Sequence, residues 1–228
     1  MKLIALETST EYCSVALWRD GELTTRCELV GQKHSEQLMP MLDDMLREAD
    51  VKLGELDGIA FGCGPGSFTG VRIACGVTQG LAFGANLPVL GVCTLLSLAE
   101  ASGYNKVVAA LDARMGELYL AAYERSNDGW MTVIEPCLCK ADDAPLVAGE
   151  GWFGTGSGFN VPALGERYGA RLTGFDGSAI PQAAAIARLA APLFAAGQGA
   201  DAALAAPLYL RDKVALTTAE RLAQGGTA

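Results

Sequence analysis

Along the first thirty residues, apolar and polar positions sort into three short runs, "KLIALE", "CSVALWR" and "ELTTRCEL", divided by "STE" and "DG". Runs of this length, bounded by turn formers, predict three strands joined by tight turns. The pattern returns beyond Leu98 as "KVVAALDA", the turn "RMG", "ELYLAAYE", the turn "SNDG" and "WMTVIEP". In each copy an apolar strand ends at an acidic residue, Glu7 in the first and Asp112 in the second, before the chain turns back. An internal duplication is the simplest account of the two meanders.

Between the copies the apolar spacing becomes helical. In "HSEQLMPMLDDMLREADV" the residues Leu38, Met41, Leu42, Met45, Leu46 and Ala49 fall on one face, predicting a helix that begins near Ser35. Pro40 lies near its first turn, where a missing amide hydrogen costs little. "LDGIAFG" predicts a short buried strand, "GVRIACGVTQGLAFGANL" a second helix and "PVLGV" another strand. Later, "PQAAAIARLAAPLFAAG" predicts an alanine-rich helix kinked at Pro192 and stopped at Gly197. Strand meanders carrying helices give an α/β architecture.

Between strand and second helix lies "GCGPGSFTG", where phosphate-binding loops belong. Its spacing fails both familiar patterns. Neither Gly66 nor Gly70 is followed by Lys, as a Walker loop requires, and the sixth place counted from Gly62 or Gly64 is Ser67 or Thr69 rather than glycine. An anion held by backbone amides stays open, second to a tight turn at Gly64, Pro65 and Gly66 with Ser67 or Thr69 capping the helix. Within that helix Gly76, Gly80 and Gly84 recur every fourth residue, each costing about 1 kcal/mol relative to alanine. Such a stripe permits close backbone approach, either by this chain's own sheet and helices or by another molecule. The methionines of the first helix carry the same two readings, core or adaptable partner surface.

Half of the 228 residues are hydrophobic, enough to bury a sizeable core without a metal or disulfide. The seven cysteines are odd in number, form no CxxC pair and read as reduced thiols; Cys137 and Cys139 lack the second pair of a zinc site. No secretory signal or membrane-length apolar run is evident, so a cytoplasmic location is expected. A formal net charge of −9 argues against gripping nucleic acid unaided, because that affinity comes largely from Lys and Arg.

With a single histidine, His34, neither a catalytic triad nor a histidine-rich metal site can be assembled, and His34 reads as a helix-start residue. Asp112 and Arg114 read as a strand-end ion pair or as an acid with its partner. Glu7 with Thr8, Ser9 and Thr10 could face a phosphate, although that turn lacks glycine. "GTGSG", Gly154 to Gly158, is too common a string to name a ligand.

Taken together, "LIALETSTEYCSVAL", "KHSEQLMPML", "GCGPGSFTGVRIACGVTQGLAFG", "ALDARMGELYLAAY" and "PLYLRDKVA" resemble the TsaB (YeaZ) family of bacterial tRNA threonylcarbamoyladenosine biosynthesis proteins. The resemblance runs in order from residue 2 to about 215 and is weak across 125–205. It implies an actin-like, Hsp70-like (ASKHA) fold of two related domains, placed here at 1–103 and 104–212, with a tail at 213–228 packing back on the first. It also implies a non-catalytic partner of TsaD, the threonylcarbamoyl transferase, working with the ATPase TsaE on N6 of the adenosine beside the anticodon. TsaD of that family carries an HxxxH metal motif, which this chain lacks. No catalytic residue, cofactor or metal is therefore expected here, tRNA is met only through the complex, and a homodimer forms when TsaD is absent. In the family the first two helices make the pairing surface. Carried over, that surface comprises Leu38, Met41, Leu42 and Met45 on the first helix and Arg72, Gly76, Gly80 and Gly84 on the second. The rival reading is an active ATPase or kinase of the same fold, with Glu7 and Asp112 around a magnesium nucleotide.

Overall fold

The computed structural model describes residues 1–211. The first meander is a strand triplet, β1 (Lys2–Glu7), β2 (Tyr12–Arg19) and β3 (Glu22–Leu29), paired antiparallel. Two strands then add in parallel, β4 (Gly58–Gly64) beside β1 and β5 (Val89–Cys93) beside β4, giving the order β3-β2-β1-β4-β5. The second sheet repeats this plan. Strands β6 (Lys106–Asp112), β7 (Leu118–Ser126) and β8 (Gly129–Cys139) form its antiparallel triplet. Strands β9 (Trp152–Thr155) and β10 (Leu172–Asp176) add in parallel, in the order β10-β9-β6-β7-β8. Position for position, the two sheets have one topology, which the sequence repeat anticipates only for the triplets. This is the two-domain, actin-like arrangement expected.

Helices cover the sheets in layers. Helix α1 (His34–Glu48) and helix α2 (Phe68–Ala85) share one face of the first sheet, where Leu38, Met41, Leu42 and Met45 meet Ile4, Leu6 and Phe61. The opposite face is covered by α5 (Ala183–Ala195), whose alanines lie against Ala5, Ala16 and Ala60. Small side chains on both partners let helix and sheet approach closely, and the helix continues through Pro192 to Ala195. Helix α3 (Thr94–Ser102) packs on the second sheet through Leu95, Leu98 and Ala99 and also touches α5. The far face of that sheet carries α4 (Pro162–Tyr168), whose Leu164 and Tyr168 pack with Trp152 and Leu120.

Two expectations are corrected. The second domain does not run to residue 212: from Ala183 the chain is already back on the first sheet. Ala200 bridges Val89, and the Leu208 amide donates to the Cys63 carbonyl. A tail at 213–228 lies outside the described residues. The apolar face of α1 is also not on the surface, because Leu38, Met41, Leu42 and Met45 are buried in the first-domain core. A face with that spacing is what covering one side of an open sheet requires.

Candidate functional site

Two places on this scaffold answer to the sequence's candidate chemistry, the glycine loop and the outward face of α2. At the loop, the turn after β1 packs directly on the glycines. Ser67 donates its amide to the Ser9 carbonyl at 2.7 Å, and the Thr8 hydroxyl donates to the Gly70 carbonyl at 2.7 Å. A methyl group added at Gly66 would lie 2.6 Å from Ser9 Cβ and 2.7 Å from the Ser9 carbonyl oxygen; one at Gly70 would overlap the Thr8 carbonyl. Gly62 likewise makes room for the carboxyl of Glu7. The glycines of this loop therefore admit the protein's own first turn, while Ser67 caps α2 by accepting from the Gly70 amide. The second domain uses the same device: Gly156 and Gly158 of "GTGSG" close on Ala110 of β6.

Glu7 is buried, its Oε1 accepting the Ser9 amide at 2.6 Å and its Oε2 the Thr94 hydroxyl at 3.4 Å. Burial raises its pKa above the ordinary carboxylate range, against the lowering pull of those bonds. Asp112 accepts the Arg114 amide at 2.8 Å in a turn with left-handed Arg114 and Met115. Arg211 bonds the carbonyl of Arg114 and, at 2.6 Å, the carboxylate of Glu117. His34 is buried at the start of α1, with Nε2 3.2 Å from the Tyr12 carbonyl, which ties the helix to β2. Among the described residues no group of three or more His, Cys, Asp or Glu could hold a metal ion.

The outward face of α2 is different. Gly76, Gly80 and Gly84 are exposed, and a methyl group added at any of them meets nothing within 4 Å. Three helix-destabilising residues thus stand where nothing in the described chain uses their smallness. Around them gather apolar and cationic side chains: Phe83 is 82% exposed, Phe68 41% and Tyr209 47%. The Arg72 guanidinium lies 3.6 Å over the Phe68 ring and its Nε donates to the Tyr209 hydroxyl at 2.6 Å. Phe68, Arg72, Gly76, Gly80 and Phe83 follow helical spacing along one stripe. The sequence reading named Arg72 and the glycines but missed Phe83 and Phe68, which the same helical period would have placed there. Tyr209 had no local signal, since it arrives from the far end of the chain. From α1, only Met39 and Pro40 add exposed apolar surface.

Comparison with known proteins decides the family. The chain is 40% identical to the tRNA threonylcarbamoyladenosine biosynthesis protein TsaB of Escherichia coli, over 94% of this chain and 96% of that protein. It belongs to the TsaB family. The TsaB of Haemophilus influenzae is 38% identical over 94% of this chain and 95% of its own. A family model described as TsaD, tRNA N6-adenosine threonylcarbamoyltransferase, matches residues 27–206. A solved structure described as YeaZ from Pseudomonas aeruginosa superposes with a TM-score of 0.85 at 41% identity, covering 92% of this chain and 99% of that one. A second, described as an uncharacterised Pseudomonas aeruginosa protein with similarity to peptidase YeaZ, gives 0.86 at 40% identity over the same shares. Among the described residues, no helix of this TsaB-family chain is long and apolar enough to cross a membrane.

Proposed function

We propose that this chain serves the formation of threonylcarbamoyladenosine in tRNA as a non-catalytic partner of TsaD, docking through the outward face of α2. The observation that carries the reading is the exposed glycine stripe beside Phe83. Three glycines lower the intrinsic stability of α2, and a backbone from outside, packed closely against them, is what would offset that cost. Phe83 then supplies a large apolar anchor at the C-terminal end of the stripe, and the Phe68–Arg72–Tyr209 stack stands at its N-terminal end. Met39 and Pro40 extend the surface onto α1, in place of the four buried residues assigned at first. TsaE joins the pair, tRNA is reached through the complex, and the same face self-associates when TsaD is absent. A net charge of −9 favours leaving the tRNA to a partner.

The rival ATPase or kinase reading loses support at the glycine loop. There the room left by Gly62, Gly66 and Gly70 is taken up by the Glu7 carboxyl and the Thr8 and Ser9 backbone.

The test is reconstituted modification of tRNA with TsaD and TsaE, read as threonylcarbamoyladenosine by nucleoside mass spectrometry. Omitting the chain abolishes product if the role is right, whatever its surface. Phe83→Asp lowers product by roughly tenfold or more if the surface is right. Full product with the variant, while omission still abolishes it, moves the docking face elsewhere.

A further inference from the structure

Cys137 and Cys139 lie two residues apart at the end of β8, the edge strand of the second sheet. Their register partners on β7, Leu120 and Leu118, are buried in the second-domain core, and both thiols are half-buried against the same cluster. The two side chains share one strand face. Both pack on the same side of the sheet, against the cluster of Leu118, Leu120, Trp152 and Leu164. Asp143 and the Arg167 guanidinium act on the pair from the segment and helix packed over it, and Tyr168 lies beside them. We propose that Cys137 and Cys139 form a peroxide-sensitive dithiol, Cys137 reacting first and Cys139 resolving it to an intramolecular disulfide. It stands apart from the tRNA-modification reading.

The neighbouring Cys139 thiol holds Cys137 down at about 7, toward the thiolate at neutral pH, while Cys137 pushes Cys139 up. The remaining cysteines with shifted thiols go the other way. Burial pushes Cys13 and Cys63 up to about 12 and raises Cys75 and Cys93. Cys27, although exposed, is raised by desolvation, with the Glu28 carboxylate adding to it. Of the seven thiols, Cys137 alone is shifted toward thiolate, with a second thiol two residues away on the same strand face.

The chemistry balances with hydrogen peroxide as oxidant. The Cys137 thiolate attacks one peroxide oxygen, the O–O bond breaks, and hydroxide leaves a sulfenic acid. The Cys139 sulfur then attacks the Cys137 sulfur, the S–O bond breaks, and the Cys139 proton departs with hydroxide as water. The dithiol loses two electrons and the peroxide becomes two waters. In a strand, residues two apart have Cα atoms about 6.6 Å apart, near the upper end of the roughly 4.4–6.8 Å that disulfides span. Closing the bond therefore draws the end of β8 out of its pleat. Such a strained disulfide is readily reduced again, which makes the pair a reversible device rather than a staple.

The test exposes the full chain to hydrogen peroxide and maps cysteines by peptide mass spectrometry. The expected first product is a 137–139 disulfide, seen as loss of two hydrogens from the peptide holding both residues and restored by dithiothreitol. In Cys139→Ser a sulfenic acid accumulates at Cys137 and is trapped by dimedone. Without any substitution, iodoacetamide should label Cys137 about fivefold faster than Cys27 at neutral pH, with a half-point near pH 7. First oxidation at Cys27, crosslinks between copies through Cys137, or a Cys137 labelling curve centred at ordinary thiol pH would each overturn the proposal.

Discussion

At the scale of single residues, glycines divide into two kinds that composition cannot tell apart. Gly66 and Gly70 exist because Ser9 and Thr8 leave no room for a side chain, whereas Gly76, Gly80 and Gly84 face open space. Alanine should therefore act with opposite sign at the two kinds. Gly76→Ala is expected to stabilise the chain by up to about 1 kcal/mol through helix propensity. Gly70→Ala forces the Thr8 carbonyl aside and is expected to cost about 1–3 kcal/mol or more. Urea unfolding midpoints of the two variants check this; a Gly70→Ala midpoint at or above wild type would mean the loop does not grip the first turn. The sequence allowed the negative half of this result, since the Walker and dinucleotide spacings fail by inspection. It could not say what fills the loop, because the filler, Thr8–Ser9, is brought there only by pairing of β1 with β4.

At the scale of elements, Glu7 joins three of them: the end of β1, β4 through Gly62, and the first turn of α3 through Thr94. Because its folded pKa is raised, the folded state holds this proton more tightly than the unfolded chain does. Its contribution is fully present below the ordinary range near pH 4.5 and is lost as pH rises through the folded value. Glu7→Gln keeps an acceptor for the Ser9 amide without the charge. Denaturation across this window should thus show a shallower decline with rising pH in Glu7→Gln than in wild type; identical slopes would remove Glu7 from the account. The two meanders were legible because their alternation and their "DG" turns are local signals. Helices α3 and α4 and strand β10 were not singled out, being short and lacking a distinct period. The stripe on α1 was read correctly as one apolar face, but period alone does not say whether that face meets the chain's own sheet or a partner. Burial of Leu38 and Met45 decides it.

At the scale of the molecule, duplication yields two sheets of one topology, and α5 returns from the second to cover the first. That return was illegible: an alanine-rich helix fits either sheet, and the choice depends on the small residues Ala5, Ala16 and Ala60 waiting on the first. With α1 turned inward, α5 and α3 enclosed, and both glycine loops closed on the chain itself, α2 is left presenting a bare glycine backbone and Phe83. The central claim is that this face meets TsaD. Light scattering of the chain mixed with TsaD from the same organism, wild type against Gly80→Leu, tests it most directly. Leucine favours helix and its Cβ meets nothing within 4 Å, so the variant should melt at or above the wild-type temperature. The account predicts a one-to-one complex for wild type and two separate species for the variant; a variant that binds as wild type does would contradict it.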